Sequence, residues 1–242
     1  HDINAASVRF DTTPAIDGTP TARCLILVTD DAQRTMNTYL GACVELGPDD
    51  IREDFIADAK VTYMEGYLWD PPGAKQAFRK AQKIAHAHGR RVSLSLSDSF
   101  CVDRYRDEFR DLVENHVDIL FANEDEILSL YQLSDFDEAL QLVAKHCEIA
   151  ALTRSEKGSV VVGGGEIHVI DAAPVAQLTD TTGAGDLYAA GFLYGYTHDF
   201  DLARCGRLGA LAASEIISHF GAKPESDVAQ FVVASAGPLA GG

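Results

Sequence analysis

The sequence predicts a doubly wound α/β fold, a mainly parallel sheet flanked by helices, and three observations carry that prediction. Short apolar runs of strand length alternate with segments of helical length and spacing. The stretches between consecutive runs are long enough for right-handed crossovers, which pair strands in parallel. A chain of 242 residues with 46% hydrophobic and 24% charged content can bury one large core without dividing into several domains.

The elements follow in chain order. Residues 23–29 and 34–40 read as two strands joined by the turn-forming Asp30-Asp31. After Pro48 a helix is expected over 49–59, then a strand at Val61-Thr62-Tyr63. Pro71-Pro72 opens a helix that reaches His88, with Gly89 closing it. A strand over 92–96, a helix over 103–114 and a strand over 118–122 come next. The last third is mainly helical, over 184–196 and 202–219, with a final segment after Pro224. On these helices Gly191, Gly195 and Gly209 let two backbones approach closely, a packing role.

The most informative stretch is Asp180-Thr-Thr-Gly-Ala-Gly-Asp186, followed by an apolar run at helical spacing. A helix should begin near Gly183, and its first N–H groups have no partners within the helix and sit at the positive end of its dipole. They form a site for a phosphate oxygen. Asp186 falls in the same first turn, where a negative charge is favoured and the carboxylate can accept a proton from a hydroxyl. The bland reading of these residues is that Asp180, Thr181 and Thr182 cap a packed helix and the glycines shape its entry. Two further strings carry the same ambiguity. Asn123-Glu124-Asp125-Glu126 follows a strand and fits an ordinary helix N-terminus with acidic residues, and Thr153 to Gly158 fits a hairpin turn between residues 149–152 and 159–162.

Taken together these strings resemble the signatures of the ribokinase-like, or PfkB, carbohydrate and nucleoside kinases, in the order and at the intervals of that family. The resemblance covers most of residues 21–225 and implies a ribokinase-like fold with a small β lid over residues 21–43. It implies that Gly183, Ala184 and Gly185 form an anion hole and that Asp186 is the catalytic base. It also implies that Asn123, Thr153, Gly158 and Gly221 bind nucleotide, that Glu126 acts on Mg²⁺ through water, and that Asp180 adjoins a monovalent-cation site for K⁺. Ser155 stands where relatives often carry glycine, and Ala210 where they often carry asparagine. The lid string beginning at Arg34 is similar to adenosine-kinase relatives, which implies ATP-dependent phosphorylation of a hydroxymethyl group on a nucleoside, adenosine by preference, or on a small sugar. A fructokinase- or ribokinase-type activity and a noncatalytic nucleotide-binding relative are the alternatives. Asn37 on the lid and Tyr67, or Trp69, after a strand are the substrate-facing candidates. The lid is also the surface through which a homodimer would form. Relatives carry a further N-terminal stretch with a substrate-binding aspartate and a Gly-Gly motif, so the expectation is that residues 1–242 are a partial kinase domain.

Composition narrows the partners. A formal net charge of −17 argues against nucleic acid and anionic membrane, both of which are held by clustered Lys and Arg. An anionic nucleotide must then be held locally, by helix amides and Mg²⁺, with Arg154 or Lys157 either assisting or standing as solvated surface charges. Five widely spaced cysteines, at 24, 43, 101, 147 and 205, form no Cys-x-x-Cys pair and read as reduced thiols of a cytoplasmic protein. The eight histidines show no metal-ligand spacing, and no apolar segment is long enough for a membrane span.

Overall fold

The computed structural model describes residues 2–12, 14, 18–228 and 230. A short helix α1 (Asp2–Ala5) precedes a hairpin of β1 (Arg23–Val28) and β2 (Arg34–Tyr39), which pair antiparallel and stand apart from the main sheet. Then come α2 (Glu53–Asp58), β3 (Val61–Glu65), α3 (Pro72–Ala87), β4 (Arg91–Ser95), α4 (Ser99–Arg104) and α5 (Arg106–Asn115). They are followed by β5 (Ile119–Asn123), α6 (Glu124–Tyr131), α7 (Phe136–His146), β6 (Ile149–Thr153), β7 (Ser159–Gly163) and β8 (Glu166–Ile170). Two long helices, α8 (Ala184–Thr197) and α9 (Leu202–Ile216), complete the described elements.

The six strands β3 to β8 form one sheet in sequence order. β3, β4, β5 and β6 pair in parallel, and β7 and β8 are added antiparallel. The mainly parallel doubly wound sheet read from the sequence is therefore present, with an antiparallel margin and a strand, β8, that the sequence reading did not include. Gly164 and Gly165, both at positive φ, turn the chain from β7 into β8. The central strands are buried on both faces, which is why they read as continuous apolar runs. The two-residue period sends Leu120, Ala122, Ala150 and Leu152 into a core shared with α3 to α7. Ile119, Phe121, Ile149 and Ala151 point the other way, into a core with Tyr188, Ala189, Phe192 and Cys205 of α8 and α9.

Two predicted helices are each broken in two. The segment expected over 49–59 is a 3₁₀ turn (Pro48–Asp50) followed by α2, and the one expected over 103–114 is α4 and α5 with Tyr105 between them. The break has a visible cause: Asp98 caps α4 through the Phe100 amide at 2.7 Å, so a short helix starts earlier than the periodicity suggested. The segment after Pro224 falls largely outside the described residues.

The packing role expected of the helix glycines is borne out where α8 crosses α9. A β-carbon on Gly191 would lie 2.5 Å from the Leu208 carbonyl oxygen, and one on Gly209 would lie 2.8 Å from that of Tyr188. Backbone meets backbone there, and neither side can rotate away. Gly191→Ala should therefore cost about 1–3 kcal/mol of stability, read as a lower denaturation midpoint with an unchanged m-value.

Candidate active site

The carboxyl ends of β3, β4, β5 and β6 carry Glu65, Ser95, Asn123 and Thr153, and the loops beyond them gather the candidate residues. This is where ligands bind in open α/β sheets. The first turn of α8 belongs to the same region, because the Asp186 charge contributes to raising both Glu65 and Tyr63.

Four of the described helix starts are closed by a side chain, and those of α2, α3, α5 and α8 are not. Asp98, Asn123, Asp135 and Asp201 each accept a hydrogen bond from a first-turn amide of α4, α6, α7 and α9. Among the uncapped starts, α8 has a glycine N-cap, Gly183, in the left-handed region at φ 82°. The Ala184 amide turns back to the Thr181 carbonyl at 3.3 Å. A β-carbon on Gly185 would meet open space, so its backbone faces a free approach. Asp186 is exposed in that first turn.

Asp180 does not cap the helix. Its buried carboxylate accepts from the Thr182 hydroxyl at 2.6 Å and amide at 2.9 Å, and from the Gly221 amide at 3.0 Å. Burial works against the charge, yet these donors together hold the carboxyl below the usual range. The capping reading of Asp180 to Thr182 thus gives way to a turn tied across to the 217–226 segment.

Asn123 and Glu126 form a reciprocal capping box. Glu126 accepts from the Asn123 amide at 2.9 Å and side-chain nitrogen at 2.7 Å, while the Asn123 oxygen accepts from the Glu126 amide at 2.8 Å. Both the structural and the functional reading of this string are compatible with that geometry. What sets Glu126 apart is its surroundings: burial pushes its carboxyl up to about 7, and the charges of Asp98, Asp125 and Glu65 add to the rise. Among the described residues no group of three His, Cys, Asp or Glu side chains is arranged to hold a metal by itself. A divalent cation would be met here by few carboxylates and by whatever oxygens its partner brings, which is how Mg²⁺ is commonly held.

The remaining candidates fall as follows. Thr153 ends β6, and Ser155 in the loop beyond it has φ 50°, a conformation that glycine adopts without strain. Gly158 has φ 82°, and a β-carbon there would lie 2.0 Å from the Ile170 carbonyl oxygen, so the close passage of β8's end requires glycine. Arg154 and Lys157 both pair with Glu124, at 2.8 and 3.4 Å, and Arg154 also lies over the Phe136 ring. Gly221 adjoins the Asp180 turn at φ 92°. Tyr67 is exposed, and partial desolvation with the charges of Asp98, Cys101, Glu126 and Glu65 pushes its phenol up to about 12. Trp69 is fully buried against Phe78 and Phe109, with its indole N–H donating to Glu108 at 2.8 Å, which makes it a core residue. Asn37 lies opposite Leu25 on the exposed hairpin, on the face that also presents Leu27.

Sequence reasoning missed Glu65. It ends β3 and accepts from the Ser97 hydroxyl at 3.0 Å; burial pushes its carboxyl up against hydrogen bonds from Tyr63 and Ser97, and Asp186 raises it further. The available signal was a carboxylate at the carboxyl end of a strand in a string read only for its aromatics. Arg34 was read as part of the lid, but not for its charge, which reaches Asp180 and helps to lower it.

The sheet, the glycine-capped helix start and the carboxylate in its first turn define the class: a doubly wound α/β protein that opens a helix beside an acid group. The chain belongs to the pfkB family of carbohydrate kinases, whose family model matches residues 1–228. It is 30% identical over 187 residues to a cytidine kinase from Thermococcus kodakarensis, covering 75% of this chain and 63% of that protein. Among solved structures it is similar to adenosine kinase from Sinorhizobium meliloti, with 57% identity and a TM-score of 0.92 over 95% of this chain and 71% of the other. A probable sugar kinase protein from Rhizobium etli matches with 55% identity and a TM-score of 0.92, over 95% and 70% of the two chains. The chain therefore spans about three-fifths of the cytidine kinase and seven-tenths of these structures.

The raised pKa of Glu126 fixes the sign of a pH effect. A carboxyl raised from 4.5 to about 7 on folding stabilises the native state below 4.5 and loses that contribution as pH rises towards 7. Unfolding titrations of wild type and Glu126→Gln should show the difference between them moving in the variant's favour from pH 5 to pH 8. A constant difference would place the ordinary carboxylate value at Glu126.

Proposed function

We propose that this protein transfers the γ-phosphoryl group of ATP to a hydroxymethyl group of a nucleoside, with adenosine preferred, or of a small sugar. The single observation carrying this reading is the start of α8: a glycine N-cap without a side-chain cap, and Asp186 exposed within the first turn. The names of the similar proteins support the substrate class, since they include a cytidine kinase, an adenosine kinase and a probable sugar kinase.

In this reading the acceptor hydroxyl approaches Asp186 and hydrogen-bonds to its carboxylate. As the new O–P bond forms and the bond to the β-phosphate oxygen breaks, the hydroxyl proton passes to Asp186 and ADP departs. The amides at Gly183 to Gly185 receive negative charge on the phosphoryl oxygens without having to reorganise, because the backbone turn already fixes them. Glu65, held by Ser97, faces the acceptor from the end of β3, and Arg34 brings positive charge from the hairpin towards the same cleft. Asn37 and Tyr67 border the acceptor, with the hairpin excluding water from the transfer. Thr153, Gly158 and Gly221 border the nucleotide, and Asn123 keeps Glu126 oriented towards it. Bound Mg²⁺ would supply charge neutralisation between the phosphates, with Glu126 holding its water shell. Asp180, buried and ionised, is the residue next to which K⁺ would sit. The exposed apolar face of the hairpin, with Leu25 and Leu27 each 70% exposed, suits a contact between two copies in addition to a lid.

Two measurements test this. Asp186→Asn should lower kcat by about two to four orders of magnitude while ATP binding persists, and near-wild-type turnover would remove Asp186 from the base role. ATP consumption measured with adenosine, cytidine, ribose and fructose should be highest with adenosine. Turnover with sugars alone would move the assignment to a sugar kinase.

A further inference from the structure

Glu215 sits in the last turn of α9, where the helix dipole disfavours negative charge, and that turn holds no basic residue to offset it. Its side chain is nevertheless buried. The reason lies in what it holds. One carboxylate oxygen accepts three hydrogen bonds, from the Glu225 amide at 3.1 Å, the Ser226 amide at 2.9 Å and the Ser226 hydroxyl at 2.8 Å. The other faces His219 Nε2 at 3.5 Å. Burial opposes the charge, but Ser226 and His219 outweigh it and hold the carboxyl below its usual range.

These bonds anchor the far end of the 217–226 segment. Its near end is tied to the approach to α8: the Thr179 amide donates to the Ile217 carbonyl at 2.9 Å, the Thr179 hydroxyl to that of Ser218 at 3.0 Å, and the Gly221 amide to Asp180 at 3.0 Å. Between the anchors the segment is mostly exposed, with Phe220 70% exposed, so apolar packing does little to fix it. Yet it forms the wall of the anion-binding turn, since a β-carbon on Gly183 would lie 3.3 Å from the Ala222 side chain.

We propose that Glu215 is a positioning residue for the nucleotide: by gripping the amides of Glu225 and Ser226 it fixes the 217–226 segment, and through Gly221 and Ala222 it fixes the wall beside the Gly183 turn. This rests on the kinase reading to the extent that a nucleoside triphosphate occupies that turn. Glu215 touches neither reacting atom, so its effect falls on ATP affinity rather than on the transfer step.

The test is calorimetric titration of ATP into wild type, Glu215→Ala and Glu215→Gln, with steady-state turnover in parallel. Glu215→Ala should bind ATP about tenfold more weakly or worse, as expected for losing charge-assisted hydrogen bonds, with KM for ATP rising in step and kcat within about threefold. Glu215→Gln keeps an acceptor oxygen for the same donors and should stay within about threefold of wild type. The proposal is overturned if Glu215→Ala binds ATP like wild type, or if the Gln variant is as weak as the Ala variant. Should Glu215→Ala fail to melt cooperatively, Ser226→Ala carries the test, with ATP binding about two- to fivefold weaker expected and unchanged affinity overturning the idea. A wild type that binds ATP but phosphorylates no nucleoside or sugar would end the kinase reading, while the affinity comparison would still decide the role of Glu215.

Discussion

The open N-terminus of α8 is the constraint around which the site is organised. The first amides of a helix lack partners within the helix, and α4, α6, α7 and α9 meet that need with an Asp or Asn cap. At α8 the side chain that could have served, Asp180, is turned away to grip Thr182 and Gly221. Its carboxylate shapes the turn from behind, and the front of the turn stays free. Gly183 makes this arrangement possible, because its left-handed backbone swings the chain into the helix without a β-carbon between the turn and Ala222. The fold thus keeps a local donor surface that a stability-optimised sequence would have closed.

A second cost runs through the same cleft. Glu126 is buried and Glu65 half-buried, ionisation of both is disfavoured, and each is raised in part by the charge of other acids nearby. Asp98 and Asp125 contribute to the negative field at Glu126, and Asp186 to that at Glu65. Crowding acids in this way lowers stability at neutral pH, a cost that the proposed function would relieve through a cation and proton transfer. The contrast with Asp180 and Glu215 is informative. Those two are also buried, but each is surrounded by N–H and O–H donors that hold it ionised. At Asp180 and Glu215 the donors outweigh burial, and at Glu65 and Glu126, which also accept hydrogen bonds, burial and neighbouring acids outweigh the donors.

Much of this was legible in the sequence, and what was not has identifiable causes. The sheet was readable because strands buried on both faces, such as Ile119–Asn123 and Ile149–Thr153, leave continuous apolar runs between helical periods. β8 escaped because Glu166–Ile170 is a mostly exposed strand at a sheet margin, with Ile170 its one buried residue, and follows three glycines. The split of 103–114 depended on the Asp98 cap, a local hydrogen bond that periodicity does not register. The turn at Gly183 was legible because a glycine pattern ahead of a helix has few physical meanings. Glu65 was not, because its significance comes from Ser97 and Asp186, residues brought to it only by the folding of β4 and α8. Arg154 and Lys157 looked available for a nucleotide in the sequence, and the structure commits both to Glu124, a partner thirty residues away or more.

The same distinction between local and global explains how a chain of net charge −17 can be arranged to receive an anion. Salt screens exposed charges separated by more than about 8 Å at physiological ionic strength, so the acids spread over the outer surface are weakly felt at the turn. Backbone amides carry no formal charge and do not enter that sum, yet at a helix start they present the equivalent of about half a positive charge at contact distance. A phosphate therefore meets a favourable field only when it reaches the turn itself, and a generally attractive surface is not required. Under the proposed function the acidic exterior would work as a selector: polyanions that must bind over a broad face would be repelled, and a compact anion that fits the mouth of α8 would not. Selectivity of this kind would depend on the turn holding its shape to within a hydrogen bond's tolerance, and two buried carboxylates, Asp180 and Glu215, bond to the segment beside it.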